Sequence, residues 1–206
     1  CLATHGADVD DPVSSPTPLH VAAEHGHLDA VDELLALGAD AHYGDGEDLL
    51  PMHGAATGGN VKIINRFVAL GVGVNERSVV AFVTPLFEAA VHGHAHAAFT
   101  LVSHGADVNA DSGTALRWAA FNGYVDVINT LLALGANVGG RASVYQSTAL
   151  HAAVKSSSYE TAHALLCQGA ILDFPSLEYG AGWRDSDTFK GVLAAGYIFC
   201  VSAFHL

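Results

Sequence analysis

The residues of this chain best suited to chemistry are its thirteen histidines. The tightest group, His92-Gly93-His94-Ala95-His96, alternates imidazoles in the manner of a ligand cluster. Gly71-Val72-Gly73 hints at a phosphate cradle, and Cys167 at a nucleophile. Each needs a context that the sequence withholds. A phosphate loop follows a strand and carries a Lys-Ser/Thr pair, whereas Gly71 follows a helical pattern with no such pair after it. A reactive thiol sits at a helix start or beside cations. Cys167 falls near the end of a helical segment, where a half-buried packing role is expected. No Gly-x-Ser-x-Gly elbow is present. Catalytic residues, a metal site and cofactors are therefore not expected.

The elements that position these residues repeat. A four-residue phrase recurs as Thr17-Pro18-Leu19-His20, Leu50-Pro51-Met52-His53, Thr84-Pro85-Leu86-Phe87, Thr114-Ala115-Leu116-Arg117 and Thr148-Ala149-Leu150-His151. The starts lie 33, 34, 30 and 34 residues apart, and a glycine stands 21 residues after each: Gly38, Gly71, Gly105, Gly135 and Gly169. Apolar residues keep their offsets, as Leu19, Ala22, Ala23 then Val31, Leu34, Leu35, and again as Leu116, Ala119, Ala120 then Ile128, Leu131, Leu132. Spacings of i, i+3, i+4 mark one face of a helix, so every repeat predicts two short amphipathic helices. Thr is a good N-cap and Pro suits the first helical position. Gly26, Gly59, Gly93 and Gly123 close the first helix of their repeats, and the glycine at offset 21 closes the second. Ser157 stands in place of the first-helix glycine in the fifth repeat, which predicts a different turn there.

Five units in register resemble the ankyrin family, over nearly the whole chain. The resemblance implies an all-α solenoid of helix–turn–helix units joined by short β-hairpin loops, 1–206 forming a single array. It comprises a partial repeat at 1–11, full repeats starting near 17, 50, 84, 114 and 148, and a degenerate terminal repeat at 175–206. It also implies that His20, His53 and His151 make a structural hydrogen bond. His27 and His94 follow a turn glycine, and His5 and His104 precede a terminal one, so the repeat absorbs seven of the thirteen histidines. Leu101, Asp107, Val108 and Asn109 match the spacing that asparaginyl hydroxylases favour on such repeats; the preferred reading is that Asn109 shapes the hairpin.

An ankyrin-like array is expected to bind a protein or peptide through its hairpin tips and the exposed, concave part of its first helices. It would act as a scaffold or adaptor, or else as the targeting arm of an enzyme whose catalytic domain lies elsewhere. By position the candidates are Glu24, His25, Glu88, His92, Arg117, Trp118, Phe121, Asn122 and Lys155 on first helices. The connecting segments add Tyr43, Asp45, Glu47, Asp48, Phe82, Asp111, Arg141 and Tyr145. Trp118 fits either an interface or the interior of the stack.

The net charge of −13, from 8 basic and 21 acidic residues, disfavours nucleic acid and anionic membranes and favours a partner with a basic segment. Three cysteines without a metal or redox spacing argue against a disulfide framework and for a reducing interior, cytoplasmic or nuclear; the array is expected to be monomeric. The chain opens on Cys1 rather than Met, so it is expected to be a piece of a longer chain or a processed product. The longest apolar stretch, 192–204, is shorter than the roughly 20 residues a spanning helix needs. If the register is right, Ala119 faces a close helix contact, and Ala119→Leu will lower the urea midpoint by the equivalent of about 1–3 kcal/mol.

Overall fold

The computed structural model describes residues 9–10, 16–44, 49–79, 81–141 and 147–171. Among the described residues there are ten helices and no strand. The first helices of the repeats are α1 (Pro18–Glu24), α3 (Pro51–Thr57), α5 (Pro85–Val91), α7 (Ala110–Asn122) and α9 (Ala149–Lys155). The second helices are α2 (Leu28–Ala36), α4 (Val61–Ala69), α6 (Ala95–Ser103), α8 (Val125–Ala133) and α10 (Tyr159–Cys167). The expected partial repeat at 1–11, apart from Val9 and Asp10, and the degenerate repeat at 175–206 lie outside the described residues.

The chain divides into two compact units, 1–107 and 108–206. In the first, α3 packs between α1 and α5, and α4 packs between α2 and α6 behind them. In the second, α7 packs on α9 and α8 on α10, each first helix also meeting its own second helix. The cores are largely the residues that the spacing selects, joined by Ile63, Ala97 and Val127, which it passed over. Leu19, Ala23, Met52, Ala55, Ala56, Ile64, Phe67, Leu86, Ala89, Ala90 and Leu101 are buried in the first unit. Leu116, Ala119, Ala120, Ile128, Leu131, Leu150, Ala153 and Leu165 are buried in the second. The last residue of each second-helix triplet, such as Leu35 or Leu132, is only half-buried, because it lies one residue round the helix from the core stripe.

Local chemistry sets the helix ends. Thr17 and Thr84 each accept, through the side-chain hydroxyl, the amide N–H three residues on, at 3.2 Å. Leu50 has no such oxygen; there the His53 ring accepts the Leu50 N–H at 3.2 Å. In the fourth repeat the expected start moves. Helix α7 begins at Ala110, with Asn109 as its cap, so Thr114 lies inside the helix and its hydroxyl donates to the Asp111 carbonyl at 2.7 Å. The short interval of 30 residues to this phrase leaves less chain for a hairpin, and no proline follows Thr114 to bar the helix from running backwards. The first turn is irregular, with Asp111 at φ 53° and Gly113 at φ 77°.

The fifth repeat corrects another expectation. Ser157 adopts φ 58° and turns as the glycines do. The amide that follows it bonds back to Ala153 at 3.0 Å, just as His27 bonds to Ala22 and Tyr124 to Ala119. This bond from the residue beyond the left-handed position satisfies a carbonyl that the helix end would leave open, and it outweighs the roughly 1 kcal/mol or more that a non-glycine residue incurs there.

Side-chain-to-backbone clasps tie several neighbouring repeats together. Asn60 donates to the carbonyls of Ala23 and Glu24 at 2.7 and 2.9 Å. Asn75 donates to the Gly105 carbonyl at 2.9 Å and accepts from the Asp107 amide at 2.8 Å. In the second unit Asn109 repeats this with Gly135, at 3.2 Å, and Asn137, at 2.8 Å. Gly59 is another contact of this kind: a Cβ there would lie 2.6 Å from the His94 ring, and its φ is 68°. Gly71 has a similar φ, 87°, but open space around it. Gly59→Ala will therefore cost about 2–3 kcal/mol and Gly71→Ala about 1 kcal/mol, read from urea midpoints.

Candidate partner-binding surface

The histidines that suggested metal chemistry serve separate neighbours. His92 donates from Nδ1 to the Glu88 carbonyl at 2.9 Å, the His94 ring lies against Gly59, and His96 is exposed. Among the described residues no group of three or more His, Cys, Asp and Glu side chains is placed to hold a metal ion. The phrase histidines join successive repeats: His20 meets the Leu49 carbonyl and His53 the Val83 carbonyl, each at 3.1 Å, just ahead of the next cap. His151 takes the Thr148 hydroxyl on Nδ1 at 2.7 Å and the Thr148 amide at 3.2 Å, so that nitrogen is an acceptor. Cys167 is exposed rather than half-buried, its sulfur 3.7 Å from His163 Nδ1, because it lies off the Thr161–Ala162–Leu165 face that α10 buries.

The candidate residues fall into distinct groups. In the second unit Trp118 and Phe121 are each 40% exposed and meet edge to face, ring centroids 5.6 Å apart. Trp118 thus stands on the surface of α7 rather than in its core, the Ala119–Ala120 pair taking the buried side. Asn122, Arg141 and Lys155 are exposed in the same unit, and Arg117 is half-buried. Asp111 is exposed at the irregular start of α7.

In the first unit, Glu24 is half-buried at the end of α1, and His25 caps that helix with its ring 6.3 Å from His27. Tyr43 is exposed. Glu88 is the surprise. Its side chain is only 15% exposed, and it leans back onto α3, where the Thr57 hydroxyl donates to it at 3.5 Å. Burial pushes its carboxyl above the ordinary range, against the opposing influence of His92, Thr57 and His20. Phe82 is 66% exposed at φ 54°, in a turn closed by Ser78, whose amide donates to the Val83 carbonyl at 2.9 Å. Asp45, Glu47, Asp48 and Tyr145 lie outside the described residues.

Sequence reasoning passed over some exposed apolar residues. Val79 is 62% exposed beside Phe82, while Phe99 and Tyr159 are exposed on second helices. An apolar pair at a turn between two repeat phrases was a usable signal for the first of these; Phe99 and Tyr159 fall on helices whose periodicity marks only the inner face.

Family models match this chain along most of its length. A model described as ankyrin repeats (3 copies) matches residues 52–142, one described as ankyrin repeats (many copies) matches 19–68, and a single ankyrin repeat matches 145–176. The chain belongs to the ankyrin repeat family. It is similar to the ankyrin repeat and KH domain-containing protein mask-1 of Caenorhabditis elegans, with 32% identity over 172 residues. That similarity covers 82% of this chain and 6% of the relative, so this chain spans a small part of that protein's length. Ankyrin repeats are generally protein–protein interaction modules and typically non-catalytic. Among the described residues no helix is long and apolar enough to cross a membrane.

The His151 contacts carry a pH dependence. Burial, with the charge of Arg141 added, holds its imidazole below the ordinary value of 6.5. The folded chain therefore binds this proton less readily than the unfolded chain. The contribution is complete above pH 6.5 and is lost as pH falls below it towards the lower folded value. Glu88, with its pKa raised, works in the opposite sense at lower pH. The urea midpoint of the native sequence will drop more between pH 7.5 and 5.5 than that of His151→Asn, which keeps an acceptor without the titration.

Proposed function

We propose that this ankyrin array is a docking module for a protein or peptide partner, received on the exposed faces of its first helices and on its connecting turns. The observation that carries the reading is the Trp118–Phe121 pair. Each of these large rings leaves 40% of its surface exposed, while Leu116, Ala119 and Ala120 fill the buried face of α7. Aromatic anchors of this kind supply much of the energy of protein interfaces. Arg117, Asn122 and Lys155 add polar partners around an apolar seat.

The acidic side chains fit the same reading. Asp8, Asp10, Asp11, Asp40, Asp45, Glu47 and Asp48 concentrate in the first two connecting segments, and a basic segment would be steered to them. On this reading the array works as a monomer inside the cell, as ankyrin repeats commonly do. The 6% share of a relative named for a further domain favours a second form of the proposal, in which the array is the docking arm of a longer protein.

Affinity capture with the intact chain, followed by mass spectrometry, tests this against the double variant Trp118→Ala/Phe121→Ala. Partners held by the native chain should fall by at least about thirtyfold, the effect of losing roughly 2 kcal/mol at a hot spot, with the thermal melt unchanged. Equal recovery by both chains would overturn the aromatic seat. Changing Asp45, Glu47 and Asp48 to Asn, Gln and Asn should slow association with the captured partner and flatten its salt dependence.

A further inference from the structure

The exposed side of α10 carries a sulfur and a nitrogen donor that the repeat pattern does not ask for. His163 and Cys167 lie one turn apart and are both exposed, with Cys167 Sγ 3.7 Å from His163 Nδ1. Tyr159 stands a turn further back, its ring centroid 6.1 Å from that of His163. The equivalents of His163 in the other four repeats are Asp32, Asn65, Phe99 and Asn129, and those of Cys167 are Ala36, Ala69, Ser103 and Ala133. Stacking therefore requires neither an imidazole nor a thiol at these places. The buried Thr161, Ala162 and Leu165 supply the inner face of α10 without them.

The separation of the two donors is that of two ligands on one metal ion. A tetrahedral zinc ion about 2.3 Å from sulfur and about 2.0–2.1 Å from nitrogen holds those atoms about 3.6 Å apart. Residues at i and i+4 of a helix face the same side, which is the spacing by which one helix offers two ligands to a metal. A thiolate and an imidazole select a zinc-class ion over magnesium or calcium, which take oxygen ligands. Glu160, exposed one turn before His163, adds negative charge that favours a cation. The pair fills half of a tetrahedral shell, and among the described residues no third His, Cys, Asp or Glu joins it.

From this geometry we infer that His163 and Cys167 form a zinc half-site, which a second copy of this chain completes. Two copies related by a twofold axis contribute one pair each, which gives the closed set of two thiolates and two imidazoles found in structural zinc sites. Each thiol passes its proton to solvent as the sulfur–zinc bond forms, and each imidazole gives its Nδ1 lone pair, so no oxidant or reductant takes part. Without the ion the array stays a monomer, since a net charge of −13 sets copies apart. The site lies on a second helix and does not draw on the first-helix residues of the docking proposal.

The test uses the full chain, kept reduced with a phosphine and titrated with cobalt(II) and with zinc(II). Cobalt in a tetrahedral shell of thiolate and imidazole gives an intense visible spectrum and a sulfur-to-cobalt charge-transfer band. The native chain should show both, saturating at one ion per two chains, and light scattering should show its mass double as zinc is added. Cys167→Ser and His163→Ala each remove two of the four ligands. Both should weaken zinc binding by more than about a hundredfold, beyond the loss of an outer-shell contact, and stay monomeric, with the metal-free thermal melt unchanged. His96→Ala, which removes an exposed imidazole from α6, should behave as the native chain does. Cys1 and Cys200 remain in every variant, so a charge-transfer band that survives Cys167→Ser would overturn the assignment. Saturation at one ion per chain with no change of mass, or no tetrahedral spectrum at all, would overturn it too.

Discussion

Helices of seven to nine residues do not persist alone in water, and nearly every helix here is of that length. This is the constraint on which the rest depends. Each helix gains its stability only by laying its apolar face on the helix behind it and on its counterpart in the next repeat. The alanine pairs, Ala55–Ala56 or Ala119–Ala120, follow from it, because small residues let backbones approach until the larger Leu, Ile and Phe side chains interlock. So do the clasps from Asn60, Asn75 and Asn109, which satisfy backbone groups at the helix and hairpin ends that stacking alone would leave open.

The same constraint explains where binding chemistry is free to reside. Once the inner stripe of each first helix is committed, its outer positions are freer to vary, though Gly54 is held by its close approach to His20 and Glu88 reaches Thr57 of the preceding repeat. They vary widely: valine, glycine, glutamate, tryptophan and alanine occupy one equivalent position in the five repeats. A half-buried Glu88 and an exposed Trp118 are two uses of one slot. The alanine pairs beneath, Ala89–Ala90 and Ala119–Ala120, are buried in both repeats.

The fold was legible because its signal is redundant: Leu19, Met52, Leu86, Leu116 and Leu150 recur in one register, and all are buried. Exceptions were harder to read. The phrase at Thr114 looks like the others, yet two details alter its meaning. Ala115 replaces the proline that halts a helix backwards, and Arg117, a donor only, replaces the histidine whose ring accepts the cap amide in Leu50 and Thr148. Ser157 kept the left-handed turn because the bond it permits is worth more than the strain. Exposure of Trp118 and burial of Glu88 were not legible, since both depend on how far a side chain leans towards the repeat before it, and spacing along one helix says nothing of that.

The clasps have a consequence for how such a chain is inherited. Asn60, Asn75 and Asn109 grip main-chain carbonyls and amides, groups that every neighbour offers whatever its side chains. A joint made to the main chain does not need to know the sequence on its far side. A repeat can be copied, deleted or exchanged as a cassette, and the seam re-forms so long as the asparagine travels with it. Surface positions then diverge after duplication without the joints having to diverge with them.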